Sequence, residues 1–335
     1  MSLPERMRIV VTGALGHIGS RLIREIPCTF PEADIILLDK LSTHRYCSLF
    51  NLPAEGQYRF VEADVLTADL GRLFDGAEVV IHLAAITNAT DSFEMKEQVE
   101  CVNYLGTERV AKACARAGAA LIFISSTSVY GGQTELVDED CPFSNLRPQS
   151  PYAESKLKAE HLLQALGQTE DLAFVVCRFG TIFGISPGMR FHTAINRFCW
   201  QAVMGQAVTV WRTALHQQRP YLDLTDAVEA LKFILQRTLF DGRVYNILTL
   251  NTSVSHIVET ISAYVPDVCV EYAESPVMNQ LSYRVMSNRF ENLGFEFKGD
   301  LQRGIGDTIQ LFKTLTNGKM ASARAQHMQQ TDDRR

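Results

Sequence analysis

A short apolar run, Arg8-Ile9-Val10-Val11, leads directly into Thr12-Gly13-Ala14-Leu15-Gly16-His17-Ile18-Gly19. Three glycines at spacing three and three, between a β-branched strand and an apolar helix from Ile18 to Ile26, leave few folds open. Glycine permits a tight turn and a close approach of backbone N–H groups to a ligand, and a helix N-terminus favours negative charge. This is a cradle for the pyrophosphate of a dinucleotide; the bland counterpart is a strand–helix turn with no ligand. A second strand, Ile35-Ile36-Leu37-Leu38, ends at Asp39, twenty residues beyond Gly19. A carboxylate there accepts from both ribose hydroxyls and repels a 2′-phosphate, so the expected cofactor is NAD. Lys40 beside it would tolerate NADP. The expected cofactor contacts begin with Gly13, Gly16, His17, Ile18, Gly19 and Asp39.

Further on, strand and helix patterns alternate through residue 180, which implies a doubly wound parallel sheet of about seven strands, the Rossmann form of an α/β fold. A polar stretch with His44, Arg45 and Tyr46 is expected to cover the adenosine. The third strand, residues 58–65, ends in Asp64-Val65; Asp64 either meets the adenine or caps a helix from Thr67 to Phe74. The fourth, Val79 to Ala85, has small residues at its carboxyl end, so Leu83, Ala84 and Ala85 can lie against the ligand where open parallel sheets bind. His82 is expected to pack at the strand end. A helix is predicted over 93–117, stopped by Gly118. The fifth strand, Leu121 to Ile124, empties into a hydroxyl cluster at 125–128, followed by a proline-broken crossing.

Tyr152 to Gly167 reads as a helix and Ala173 to Phe179 as the sixth strand. Beyond 180 the alternation is irregular, with helices over 191–204, 252–264 and 301–315, short strands at 208–211 and 221–224, and a returning parallel strand at 244–248. The expected division is a cofactor domain of residues 1–180 plus about 218–250. A smaller mixed α/β substrate-binding domain takes about 181–217 plus 251–317, and residues 318–335 form a disordered tail.

Composition removes several classes. A net charge of −6 argues against a general nucleic-acid or membrane-surface binder. No apolar segment approaches the roughly 18 residues of a membrane span. The N-terminus carries no signal-type apolar region. Eight scattered cysteines with no C-x-x-C pair suit reduced thiols in the cytoplasm.

The chemistry is expected from Tyr152 and Lys156, four residues apart on one helix face. An ordinary tyrosine, with a pKa of about 10, is a poor base at neutral pH. A nearby ammonium and an oxidised nicotinamide would stabilise its phenolate, and Ser126 can hydrogen-bond the same substrate oxygen. Taken alone, such a pair is as readily an exposed helical pair.

These residues together resemble the extended short-chain dehydrogenase/reductase family, in its NAD-dependent nucleotide-sugar epimerase/dehydratase branch, and UDP-glucose 4-epimerase-like members in particular. The marks run over about residues 6–317: Gly13-x-x-Gly16-x-x-Gly19, Asp39, Asp64-Val65, His82-Leu83-Ala84-Ala85, Asn103 with Gly106-Thr107, residues 125–131, Tyr152-x-x-x-Lys156, and Arg219 ahead of Tyr221-Leu222. The resemblance implies Ser126, Tyr152 and Lys156 as catalytic residues, with Tyr152 and Lys156 also touching a tightly held NAD. It also implies a nucleotide-diphosphate sugar as substrate, no metal, and a homodimer built through a four-helix bundle of the helices near 93–117 and 152–167.

Similar 4,6-dehydratases carry an acid pair where this chain has Thr127 and Ser128, and similar decarboxylases carry a glutamate at the position of Ser128. Hydroxyls at both positions point instead to a 4-epimerase working through a transient 4-keto sugar. The alternatives are a 4-keto-sugar reductase, a dehydratase or decarboxylase, and a non-catalytic NAD(P)-sensing member. Substrate contacts are expected at Thr127, Thr181, Arg190, Asn196 and Arg219, with the Arg219 fork on the diphosphate. Thr181 replaces a common asparagine and Pro220 a frequent aspartate, and His216-Gln217-Gln218 is an unusual approach to Arg219. His192 and His216 are read as structural or substrate-contacting.

Overall fold

Strands that are apolar at nearly every position need cover on both faces. In a computed structural model, which describes residues 7–132, 136–274 and 282–316, seven strands form one parallel sheet, six of them of this kind and the edge strand at 57–62 alternating polar and apolar. Its strands are β1 (Arg8–Thr12), β2 (Asp34–Asp39), β3 (Gln57–Glu62), β4 (Val79–His82), β5 (Ala120–Ser126), β7 (Phe174–Phe179) and β11 (Val244–Ile247). Their order across the sheet is β11-β7-β5-β4-β1-β2-β3. The chain reverses its direction of winding at β1 and β4, which is where a doubly wound sheet opens a crevice for a ligand. A smaller sheet joins β8 (Thr181–Phe183), β10 (Gln218–Asp223) and β12 (Leu250–Ser253). Four short strands, β6 (Leu136–Val137), β9 (Val208–Trp211), β13 (Val270–Ala273) and β14 (Arg284–Val285), pair as β14-β6 and β13-β9.

The helices are α1 (His17–Thr29), α2 (Leu70–Leu73), α3 (Lys96–Val99), α4 (Gly106–Ala117), α5 (Pro151–Thr169), α6 (Ala194–Val203), α7 (Leu224–Arg237), α8 (Val254–Tyr264), α9 (Asn288–Glu291) and α10 (Leu301–Thr316). Alternate strand residues feed separate cores, as the two-residue period requires. Ile9, Val11, Ile35, Leu37 and Ile122 pack with α1 and α7 on one face. Val10, Ile36, Leu38, Leu121 and Phe123 pack with α4 and α5 on the other. A third core joins Phe183, Phe198, Tyr221, Ile257 and Ile305.

The α/β class, the parallel sheet and the return of 244–247 to it agree with the expectation from sequence. Several elements differ. The single helix expected over 93–117 is α3, a π-helical stretch Glu100–Leu105 and α4 in succession. That stretch contains Asn103, whose carboxamide is bonded to Ile86. The helix after β3 begins at Leu70 rather than Thr67 and is capped by Asp69, not Asp64. The helix expected from Phe191 begins at Ala194, because residues 184–192 form a loop across the front of the sheet. Strands β6, β8, β12, β13 and β14 were not foreseen; they hold two to four residues each. The tail expected at 318–335 lies outside the described residues.

Beneath β5 and β7 lies a buried ion pair. Arg178 and Glu160 are joined at 2.7 Å, with side chains 2% and 0% exposed. Burial works against the Arg178 charge, and Glu160 more than restores it. Removing one partner of such a pair leaves a lone buried charge. Glu160→Leu is expected to cost about 3–5 kcal/mol in chemical unfolding. The double variant Glu160→Leu/Arg178→Met should cost clearly less than the sum of the two single changes.

Candidate active site

The glycine-rich turn is shaped by contact with β4. Gly13 has φ +67°, and a Cβ there would sit 2.6 Å from the Ala84 nitrogen. The turn is thereby pressed against the small residues that follow β4. Helix α1 starts at Gly16 with no side-chain cap and no acid in its first turn. The N–H groups of His17, Ile18 and Gly19 are left for an outside acceptor, and the helix start favours an anion. Asp39, at the end of β2, accepts from Leu15 N at 3.1 Å and Leu41 N at 2.9 Å, so its carboxylate is fixed beside the turn. These features fit the pyrophosphate and adenosine ribose of NAD. Asp64 accepts from Leu66 N at 2.9 Å and pairs with Lys40 at 3.3 Å, so it caps a turn and occupies the cation next to Asp39. Val65 beside it is buried, whereas Leu83, Ala84 and Ala85 are half-buried along the crevice.

His82 is buried, and both ring nitrogens are satisfied. Thr107 gives its hydroxyl proton to Asn103 O at 2.6 Å, so it accepts from His82 Nε2 at 3.1 Å. Thr12 then donates to His82 Nδ1 at 2.7 Å and accepts from Ala84 N at 3.3 Å. The histidine is neutral and structural. Asn103 continues the connection, bonding Ile86 N and O at 2.8 and 2.9 Å and Ser155 Oγ at 3.2 Å.

Ser155 lies between Tyr152 and Lys156 on α5. Ser150 caps that helix by accepting from Ala153 N, and Pro151 occupies its first turn. Lys156 is buried and donates to Ile124 O at 2.7 Å, above the Phe123 ring. Burial lowers its pKa to about 7, with Glu160 working the other way. The Tyr152 phenol is pushed up by burial; Arg190 is the first influence bringing it down, then a hydrogen bond with Ser126. Ser126 and Tyr152 are therefore brought together. Ser126 Oγ also accepts from Ser128 N and Oγ at 3.2 and 2.9 Å.

The substrate-side residues divide. Thr127 donates to Phe179 O at 3.3 Å, and Thr181 begins β8 beside it, half-buried. Arg219 projects from β10, with one guanidinium nitrogen 3.4 Å from Gln217 Oε1. Asn196, expected to touch substrate, is wholly buried and holds the loop: it bonds Gly184 N at 3.2 Å and Arg190 O at 3.1 Å. His17 also faces this loop, with Nε2 donating to Gly184 O at 2.8 Å. The loop lies on the glycine turn so closely that a Cβ at Gly188 would come within 2.3 Å of Leu15 O. Cys47, in the stretch expected to cover the adenosine, reaches Pro187 O. His192 is held near 4 by burial and by the Arg190 charge.

Two residues escaped the sequence reading. Tyr283 is buried, hydrogen-bonds Thr127 and senses Arg219 and Tyr152. Thr87 receives Arg190. Neither belongs to a motif, and only the fold brings them to the cleft. Among the described residues no group of three or more His, Cys, Asp or Glu could hold a metal, and no helix is long and apolar enough to cross a membrane.

The uncapped helix start, fixed Asp39 and paired Ser126–Tyr152 define a nucleotide-dependent oxidoreductive site of the short-chain dehydrogenase type. The "NAD dependent epimerase/dehydratase family" model matches residues 9–247, and the chain belongs to that family. It is an enzyme of that family with NAD as its cofactor. It is 29% identical over 324 residues to a dTDP-D-glucose 4,6-dehydratase of Bos taurus, covering 91% of this chain and 88% of that protein. MoeE5, solved with UDP-glucuronic acid and NAD, superposes with TM-score 0.80 at 27% identity, covering 92% of this chain and 99% of MoeE5. The UDP-glucose 4-epimerase of Thermus thermophilus, solved with NAD, gives TM-score 0.79 at 25% identity, covering 92% and 99%.

Burial holds both His17 and His82 near pKa 3, below the ordinary 6.5. The unfolded chain binds these protons first, so their contribution to stability is complete above pH 6.5. It is lost as pH falls towards 3, by about 1.4 kcal/mol per unit for each histidine. His192, held near 4, adds the same slope between pH 6 and 4; unfolding free energy measured over that range should follow the sum, and His82→Gln should remove about one third of the histidine part.

Proposed function

We propose that the chain is an NAD-dependent nucleotide-diphosphate-sugar 4-epimerase. The observation that carries this reading is the pair of hydroxyls at 127 and 128. The Thr127 proton goes to Phe179 O and the Ser128 proton to Ser126 Oγ. Neither group can donate and accept protons as the carboxyls of a dehydratase do when water is eliminated. The relatives include a dehydratase, so family membership alone does not separate the two reactions.

In this reading Tyr152 takes the proton of the sugar's 4-hydroxyl, and Ser126 orients that oxygen. NAD, held by the glycine turn and Asp39, would supply the reversible hydride acceptor for carbon 4 that inversion there needs. Tyr152 then gives its proton back. Lys156, fixed on Ile124 O, lies at the cofactor side of the tyrosine. Thr127 and Thr181 line the sugar, and Arg219 faces the diphosphate. Asn196 acts through the loop that carries Arg190.

Purified protein given UDP-, GDP-, dTDP- and CDP-sugars, with no added cofactor, should yield a carbon-4 epimer by proton NMR. A 4-keto-6-deoxy product would overturn the reading, and a need for added reduced cofactor would make the enzyme a ketoreductase. Tyr152→Phe should lower kcat by roughly 10²-fold or more.

We also propose a homodimer packed through α5 and the helical stretch before it. Phe93 and Leu105 are 45% and 41% exposed there, on the face a four-helix bundle would bury. Light scattering should give twice the chain mass for the native protein and one chain mass for Leu105→Glu. The eight cysteines are all unpaired, which supports the cytoplasm as the compartment.

A further inference from the structure

The end of β5 is gripped residue by residue. Lys156 Nζ donates to Ile124 O at 2.7 Å. Ser125 Oγ donates to Glu160 Oε1. Thr127 Oγ1 donates to Phe179 O at 3.3 Å. Ser126, between them, is used differently. Its Oγ accepts from Ser128 N at 3.2 Å and from Ser128 Oγ at 2.9 Å. Both bonds arrive at the oxygen, so its proton is left for an acceptor in the cleft. Successive strand residues point to opposite faces. Ser125 is accordingly turned towards α5 and 1% exposed, whereas Ser126 is half-buried at the mouth of the strand.

The Ser125 bond is not needed to balance charge. Arg178 already reaches the Glu160 carboxylate with Nε at 3.0 Å and Nη2 at 2.7 Å, a two-pronged contact. What the hydroxyl adds is a joint between that pair and β5. Register stiffens the joint. Ser125 lies opposite Arg178 in the β5–β7 ladder, and Ser126 lies opposite Phe179. Glu160 therefore holds two residues that face each other on neighbouring strands. Lys156 and Glu160 are four apart on α5, on one helix face, and they hold consecutive residues of β5. Tyr152 is one turn earlier on that face and hydrogen-bonds Ser126. The helix that carries the tyrosine thus also fixes the strand end that carries the serine.

Resting on the reading of Ser126 as the hydroxyl that orients the sugar oxygen, we propose that Ser125 is a positioning residue of this site. Its bond to Glu160 locks the end of β5 to α5 and so sets where Ser126 presents its hydroxyl. Buried on the far face, Ser125 meets neither substrate nor cofactor and moves no proton. The spacing of Ser126 and Tyr152 is set before substrate arrives, which is where orientation contributes to rate. The Glu160–Arg178 pair then serves the reaction as well as the fold.

The test uses the holoenzyme. Ser125→Ala leaves both Arg178 bonds to Glu160 in place. With the fastest of the UDP-, GDP-, dTDP- and CDP-sugars, its kcat should fall roughly tenfold or more while KM changes little. Ser125→Thr, which keeps the hydroxyl, should restore most of the loss. Ser125→Cys, a weaker donor of similar size, stands in if the Ala chain does not fold and should lose kcat in the same direction. Ser126→Ala sets the scale. Adding Ser125→Ala to it should slow the enzyme no further, because the first change acts through the second residue. Amide exchange at 125–131, read by mass spectrometry without substrate, should quicken in Ser125→Ala while β4 keeps its native rate. A native kcat in Ser125→Ala, or losses that multiply in the double variant, overturns the proposal. So does unchanged exchange at 125–131. A native rate in Ser126→Ala refutes the reading of Ser126 and the proposal with it. A full Ser126→Ala loss beside an intact Ser125→Ala removes the proposal alone.

Discussion

A polar ring at the end of a buried strand has to be satisfied on both nitrogens, and His82 is the point on which the cleft depends. Its Nδ1 takes the Thr12 proton at the mouth of β1, and its Nε2 reaches Thr107 on α4. Asn103 carries the chain of bonds to the segment after β4 and to Ser155 on α5. One relay therefore ties the entrance of the glycine turn to the helix of Tyr152 and Lys156. The relay also accounts for the π-helical stretch between α3 and α4. A π turn changes the direction in which its side chains project, and here it contains the residue that bridges two elements.

The fold was readable because its signals are local. Continuous apolar strands announce a sheet covered on both faces, and glycines between strand and helix fix the topology at its start. Tyr152, Lys156 and Ser126 were readable for the same reason, since each lies at a fixed distance from such an element. The substrate side was less legible. Asn196 has the polarity of a ligand contact, yet the structure uses both ends of its carboxamide to close a loop. No sequence pattern separates those two uses of an asparagine. Tyr283 lies more than a hundred residues from Thr127, its partner, and β8 and β12 are too short to carry a periodic signal.

The loop at 184–192 joins the two sides of the cleft. Gly188 allows its backbone to lie on Leu15 and Gly16, His17 bonds Gly184, and Ser186 donates to His17 O at 2.8 Å. Cys47 touches it from the stretch after β2. Its backbone therefore belongs to the cofactor turn, while its one arginine, Arg190, donates to Thr87 in the segment after β4. The glycine turn and the segment after β4 are thereby joined through a loop that carries no recognised motif.

Charge is arranged on the same plan. Below the floor of the cleft, Glu160 and Arg178 cancel each other. In the cleft itself Arg45, Arg190, Arg197 and Arg219 gather, and the Nε atoms of Arg190 and Arg197 are buried without partners. The whole chain nevertheless carries −6. A local cationic field inside an acidic protein draws anionic ligands to one place and repels polyanions elsewhere on the surface. NAD brings a pyrophosphate to that place.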